Sequence, residues 1–390
     1  MTFKHTLRAS YAGYVLQAMT NCYPPLLYVT FSEEFNVPIT SMTFLIVLNF
    51  LVQLTVDLIS TRLVDKIGYR TCIVAGHIFS ALGFMGFAVF PFVMPPFAAL
   101  CLATVLSAIG GGVMEVLVSP LVEACPTENK AASMSLLHSF YCWGTVGVVL
   151  FATLYFNLFG ADNWRILTAC FALFPIVNGF FFTKVPMASL VEDGKGMSLR
   201  ELFSSKLFVL FLALMFCSGA SELAMNQWAS AFAESGLKVS KTAGDLIGVC
   251  LFSVLMGTAR VIFSKIGDEK RILSWIIGCC VICIISYLTA ALSPIPILAL
   301  AGCALCGFSV GIMWPGVYSI AAARLPGGGT PMFALLALFG DLGCTLGPAT
   351  VGAVASKTSG SLSAGLAVAA IFPALMIVFS VVCRKIKTES

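Results

Sequence analysis

A handful of ionisable side chains stand inside long apolar runs of this chain: Asp57, Glu115, Glu123, His138, Glu222, Arg260 and Asp341. Such a group in hydrocarbon costs about 2.5–3.5 kcal/mol on insertion scales, so each marks a pathway or a pair. The sharpest case is Glu115, within "GGGVMEVLVSPLVEACP" at 110–126. A carboxyl group held away from water takes up a proton readily and releases it when water enters, which suits proton carriage. His138 can share that proton or orient a hydroxyl. Glu222 and Asn226 are four positions apart, so on a helix they share a face; Gln227 follows, and Trp228 and Trp314 offer flat apolar surfaces. Carboxylates, amides and an aromatic ring together fit a small hydroxylated molecule. Trp228 suits an interfacial anchor equally well. Glu123, near a helix end, and His77 read as structural.

The elements that carry these residues follow from composition. Hydrophobic residues make up 59% of the 390 and charged residues 10%, with mean hydropathy +0.98; a soluble domain carries about 25% charged residues. The chain is therefore an integral membrane protein, and its long, unalternating apolar runs are helices rather than barrel strands. Breaks between the runs give about twelve spans, among them 7–31, 206–233, 242–265 and 295–323. The first run begins with basic residues but continues too far for a signal peptide, and reads as a retained helix. Cys280 with Cys283 and Cys303 with Cys306 form C-x-x-C pairs on predicted spans. With no His or carboxylate cluster beside them they are expected to pack rather than bind metal.

Lysine and arginine set the orientation. With the amino terminus in the cytoplasm, 17 of the 22 basic residues fall on that side, leaving Arg165, Lys238, Lys241 and Lys357 opposite and Arg260 within a span. Both termini are then cytoplasmic. The longest polar connection, at 184–206, divides six spans from six. This gives an amino-terminal half at 1–184, a cytoplasmic linker at 185–205 and a carboxy-terminal half at 206–390. The halves align at an offset near 199: "DKIGYR" at 65–70 meets "SKIGDE" at 264–269, "GGVM" meets "VGIM", and "LLHSFYCWG" at 136–144 meets "LLALFGDLG" at 335–343. The predicted fold is an all-α membrane protein of twelve transmembrane helices in two pseudo-symmetric six-helix halves.

Two like-oriented six-helix halves resemble the major facilitator superfamily of transporters. "TRLVDKIGYR" supplies Asp65, Gly68 and Arg70 of its G-x-x-x-D-x-x-G-[RK] loop motif, with Thr61 in place of the first glycine and Tyr69 at the first basic position. "GGGVMEVLVSPLV", "LLHSFYCWGTVG" and "GASELAMNQWASAF" look like spans four, five and seven of the fucose, galactose and glucose proton-symporter family, with Glu115 at its proton-linked glutamate and Glu222 in register. The chain departs from that family in reading "NCYPPLLY" where span one often has an aspartate, and Tyr141 where span five has an asparagine. The resemblance implies that spans one, four, seven and ten line a central cavity. The candidate solute-binding residues are then Asn21, Tyr23, Glu115, Tyr141, Glu222, Asn226, Gln227 and Trp314. Glu115 and His138 are assigned to proton coupling, and Asp57, Asp65, Gly68, Arg70, Arg260 and Asp341 to gating contacts.

The expected function is secondary active transport of a small polar solute, a sugar or sugar-like metabolite, by alternating access with proton symport. The alternative is an exporter or exchanger of an amphipathic or organic-acid solute, suggested by the Met-rich, aromatic spans. An enzyme is disfavoured, because no phosphate loop or metal-ligand cluster is present. Neither "GGG" at 110–112 nor "GGG" at 327–329 follows a strand; the first suits close helix packing, the second a flexible turn. The expected partners are the solute, protons and the bilayer, with no nucleic acid, metal or cofactor. Short loops and simple termini suggest a bacterial inner membrane protein, and a monomer is expected.

Overall fold

Proline placement and small-residue packing shape the helices that follow. In the computed structural model of the protein, residues 1–188, 190, 196–229, 231–233 and 250–386 are described, and every regular element among them is helical. The order is α1 (Phe3–Leu26), α2 (Tyr28–Glu34), α3 (Ile39–Ile67), α4 (Tyr69–Val89), α5 (Pro96–Ala124), α6 (Lys130–Phe159), α7 (Trp164–Lys184) and α8 (Leu199–Ser204). Then come α9 (Lys206–Asn226), α10 (Leu251–Ile266), α11 (Ile272–Leu292), α12 (Pro296–Val310), α13 (Met313–Arg324), α14 (Gly329–Lys357), α15 (Leu362–Ala369) and α16 (Ile371–Lys385). Lys195, Lys238, Lys241, Lys387 and the start of the eighth predicted span lie outside the described residues.

Among the described residues, ten helical stretches are long and apolar enough to cross a bilayer: 44–64, 69–92, 96–124, 130–159, 161–184, 206–226, 272–292, 296–324, 329–357 and 362–385. The expected first span is not one of the ten. Helix α1 is long enough at 24 residues, about 36 Å, but it is too polar, and it turns Thr6, Ser10, Gln17 and Thr20 into protein rather than toward lipid. Helix α10 comprises 16 residues in its described part.

Two predicted continuous spans are broken. Pro24 and Pro25 carry no N–H, so the carbonyls of Thr20 and Asn21 lose their helical donors, and the helix stops at Leu27. In the tenth expected span, Gly311 and Ile312 separate α12 from α13. Pro315 lies four residues after Gly311 and cannot donate to its carbonyl.

The chain forms two compact units: Met1–Pro126 with Trp143–Lys195, and Thr127–Cys142 with Gly196–Ser390. In the first, α5 packs against α1, α3 and α4, and α4 against α7. The three glycines at 110–112 explain that density. A Cβ on Gly110 would meet Ser80 of α4, one on Gly111 Thr20 of α1, and one on Gly112 Val56 of α3. In the second unit, α9 packs along α14 and α16, and α12 against α10 and α11. The glycine run at 327–329 is tied down, with Met197 N–H donating to the Gly327 carbonyl at 2.9 Å. Ser198 caps α8 in a reciprocal pair with Glu201, and those bonds hold the Glu201 carboxyl below its ordinary pKa.

Candidate functional site

The first unit gathers amides beside its broken helix. Asn21, three residues before the Pro24–Pro25 break, accepts at Oδ1 from Gln53 Nε2 at 2.5 Å and from Asn49 Nδ2 at 3.3 Å. Asn49, Gln53 and Asp57 follow one another at four-residue intervals on α3, so they form a single polar stripe. Gln53 and Asp57 are fully buried. A cavity of about 40 Å³ touches Thr20, Asn21, Pro24, Asn49, Thr104 and Ser107. That is room for about one water molecule. Among the described residues the Thr104 and Ser107 hydroxyls have no hydrogen-bond partner, so the pocket carries unused polar capacity.

Glu115 is buried, 8% exposed. Its stripe on α5 is fixed by two neighbours four residues away. Gly111 lies against Thr20 of α1, and Ser119 shares a 2.7 Å hydrogen bond with Tyr14 of α1. Glu115 therefore lies on the face of α5 that looks at α1. The other expected residues of this unit serve the scaffold. Tyr23 is fully buried, bonded to Thr168 Oγ1 at 2.7 Å and edge-on to Phe171, so it turns into the packing with α7 and away from the amides. Arg70 donates to the carbonyls of Phe182 at 2.6 Å and Val185 at 2.9 Å, capping the end of α7. Gly68 has φ 92° and ψ 145° between α3 and α4, a conformation essentially confined to glycine. The Asp65 side chain lies outside the described part. His77 bonds the Ile73 carbonyl and Asn178, as a packing residue should.

The second unit is organised around a buried cation. Arg260 of α10 is 3% exposed. Its Nε donates to the Gly311 carbonyl at 2.7 Å, and its Nη1 to the His138 carbonyl at 2.9 Å and to Cys142 Sγ at 3.0 Å. Its Nη2 lies 3.6 Å from Glu222 Oε2. The bond to Gly311 replaces the donor that Pro315 withholds, so the break in the tenth span and the arginine are one device. Sequence reasoning kept Arg260 as a gate and Glu222 as a solute ligand; the fold pairs them. His138, expected to serve Glu115, lies in the stretch grouped with this unit, where its ring packs 5.7 Å from Tyr318. Tyr141 is half-buried on the same stretch.

Trp314 packs on Gly340, where a Cβ would enter its ring, and stands edge-on to Tyr318. The neighbouring Asp341 is buried, and neither its Oδ2 nor Asn226 Oδ1 finds a hydrogen-bond partner among the described residues. These acceptors are open to a proton or a donor. Gln227 is exposed at the end of α9. Trp228 donates Nε1 to the Pro348 carbonyl at 2.9 Å and lies beside Gly352, which makes it a packing residue on α14. Cys283 of one C-x-x-C pair meets Cys306 of the other at 3.9 Å, both thiols free and buried.

The sequence profile of the Major Facilitator Superfamily matches residues 11–348. The chain belongs to that superfamily. Among curated protein sequences nothing matches. Among solved structures, it is similar to the superfamily transporter FucP in the outward conformation, at TM-score 0.79 and 13% identity over 97% of this chain and 98% of that one. The proton:xylose symporter XylE bound to 6-bromo-6-deoxy-D-glucose aligns at TM-score 0.78 and 12% identity, covering 96% and 94%. The human organic anion transporter MFSD10 aligns at 0.75 and 14%, covering 97% and 99%. These identities establish the shared fold alone. The protein is thus a multi-pass secondary transporter of the facilitator superfamily, with a helical bundle compatible with alternating access, and not an enzyme.

Within this facilitator fold, the residues that sequence reasoning passed over are Asn49 and Gln53. Both lie on the second expected span, outside spans one, four, seven and ten from which the candidate amides Asn21, Asn226 and Gln227 come, although the 49–53–57 spacing is a visible signal of a polar stripe. Nothing in the sequence pairs Arg260 with Glu222, which are 38 positions apart on different helices.

Proposed function

We propose that this protein is a proton-coupled symporter of a small polyhydroxylated solute, a sugar or sugar-like metabolite. It works as a monomer by alternating access between six-helix halves at 1–184 and 206–390, joined by the linker at 185–205. Twelve spans then result when α1 and α10 are counted with the ten apolar stretches. The observation that carries the reading is the Asn21–Asn49–Gln53 cluster beside the unpartnered Thr104 and Ser107 hydroxyls. Side-chain amides both donate and accept, as hydroxyl recognition requires. In the described arrangement Asn49 and Gln53 both spend a donor on Asn21, and a solute would exchange its hydroxyls for those bonds. Likeness to FucP and XylE supports the sugar class. Glu115, buried on the α1-facing stripe, is the proposed proton carrier.

The test is uptake by proteoliposomes with and without an inward proton gradient, using a panel of monosaccharides. Glu115→Gln is expected to abolish gradient-driven accumulation while retaining counterflow. Undiminished accumulation by that variant removes Glu115 from coupling. A second reading is favoured by one observation: Arg260, a buried cation whose partner Glu222 stands at 3.6 Å, beyond a tight hydrogen bond. Protonation of Glu222 would free the guanidinium for a solute carboxylate, making the protein an organic-anion exchanger. Thermal stabilisation by carboxylates but not sugars, lost in Arg260→Met, selects that reading.

A further inference from the structure

Outside the polar clusters of the helix interiors, the second unit holds a recess of about 360 Å³ where α11 begins and α13 and α16 end. This volume lies within the usual range of small-molecule pockets. Among the described residues its lining includes Lys270, Arg271, Ser274, Ser319, Arg324 and Arg384, and none of the described lining residues is a carboxylate. Three membrane-crossing stretches terminate here, at Ile272, Arg324 and Lys385, so the recess lies at the depth of lipid headgroups.

The cations are arranged rather than scattered. Arg324 donates to the carbonyls of Cys383 at 2.7 Å and of Ile386, capping α16 and closing one wall. Arg384 donates to Ser274 Oγ at 2.6 Å, which holds its guanidinium over the first turn of α11. Among the described residues that turn has no side-chain cap, and the start of a helix presents the positive end of its dipole to an anion. Arg271 pairs with Asp268 at 3.6 Å, and both side chains are substantially exposed. Lys270 and Arg384 are exposed cations facing the same volume.

We propose that this recess binds the phosphate group of an anionic molecule, either the head of an anionic phospholipid or a soluble phosphate. A phosphate would take charge-assisted bonds from the Arg384 fork and Lys270, completed by the α11 amides and the Ser274 hydroxyl. The site is separate from the proposed solute pathway, so its occupancy would act on the stability or conformational balance of the second unit.

The experiment titrates purified full-length protein in neutral detergent with three probes: short-chain phosphatidylglycerol, phosphatidylcholine of the same chains, and inorganic phosphate. Binding and the thermal midpoint are followed in low and high salt. The wild type is expected to bind phosphatidylglycerol or phosphate in preference to phosphatidylcholine, with affinity that falls as salt rises. The Lys270→Gln/Arg384→Gln pair is expected to weaken that binding about tenfold or more, whereas Lys357→Gln, an exposed cation elsewhere in the same unit, leaves it unchanged. Saturation by inorganic phosphate alone assigns a soluble ligand, and selectivity for phosphatidylglycerol over free phosphate assigns a lipid. If no probe binds above phosphatidylcholine, or the pair and the control behave alike, the proposal is wrong. Should the double variant misfold, Lys270→Gln alone, which removes an exposed side chain, carries the same test with a smaller loss.

Discussion

The two units solve the same problem with different chemistry. Each places polar groups next to a proline-interrupted helix, Pro24–Pro25 in one and Pro315 in the other. In the first unit the freed polarity is met by neutral amides and hydroxyls, with Glu115 on an adjoining stripe. In the second a single guanidinium spans α6, α10 and the α12–α13 break and meets a carboxylate of α9. Neutral amides can trade partners at little electrostatic cost, whereas a buried ion pair cannot lose one member without stranding the other. The first arrangement suits exchange with solute hydroxyls, and the second suits a two-state lock set by protonation of Glu222.

The strongest way to break this contrast is to remove the carboxylate. Glu222→Leu should destabilise the protein by about 3–5 kcal/mol through the uncompensated Arg260, read as a fall in the detergent thermal midpoint. Adding Arg260→Met should restore most of the loss. A single variant as stable as wild type would mean that charge does not organise the second unit.

A smaller effect sharpens the internal repeat. Gly68 and Gly267 align in sequence, yet Gly68 has φ 92° with open space around its Cβ position, whereas Gly267 has φ −67° and a Cβ would approach the Phe263 carbonyl to 2.5 Å. Gly68→Ala should therefore cost about 1–3 kcal/mol from backbone strain alone. If its unfolding midpoint is unchanged, the turn relaxes and the motif's glycine is not a conformational requirement.

The smallest effect belongs to the amides. Gln53→Leu removes one interhelical bond, worth about 0.6 kcal/mol on average and at most about 1.7 in membrane helices. Its stability loss should be well below that of Glu222→Leu, while solute affinity falls more than stability does. Equal losses in the two units would erase the proposed division between exchangeable and locked polarity.

Much of the architecture was legible in the chain. Apolar runs longer than a bilayer's thickness force helices, and the glycine run at 110–112 announced a helix hemmed in by neighbours. Site chemistry was read less completely. Glu115, Glu222 and Arg260 stood out because charge in hydrocarbon is conspicuous, but Asn49 and Gln53 did not, because they are uncharged and lie on a span that the family resemblance does not place around the cavity. Residue type points Tyr23 toward the solute and leaves Trp228 open between the solute and the membrane interface. Each instead satisfies its polar atom within the scaffold, through Thr168 and the Pro348 carbonyl, and only three-dimensional neighbours reveal that.

Sequence alone determined that this chain lives in a bilayer as a bundle of helices with a few expensive polar groups inside, because hydropathy and backbone hydrogen bonding leave no other solution. Tertiary structure decided which of those groups meet: Arg260 with Glu222 and the carbonyl that Pro315 leaves bare, Asn21 with the α3 amides, and Arg384 with the first turn of α11. Partnership between helices depends on rotation and depth of packing, and neither is written in the spacing along any single helix.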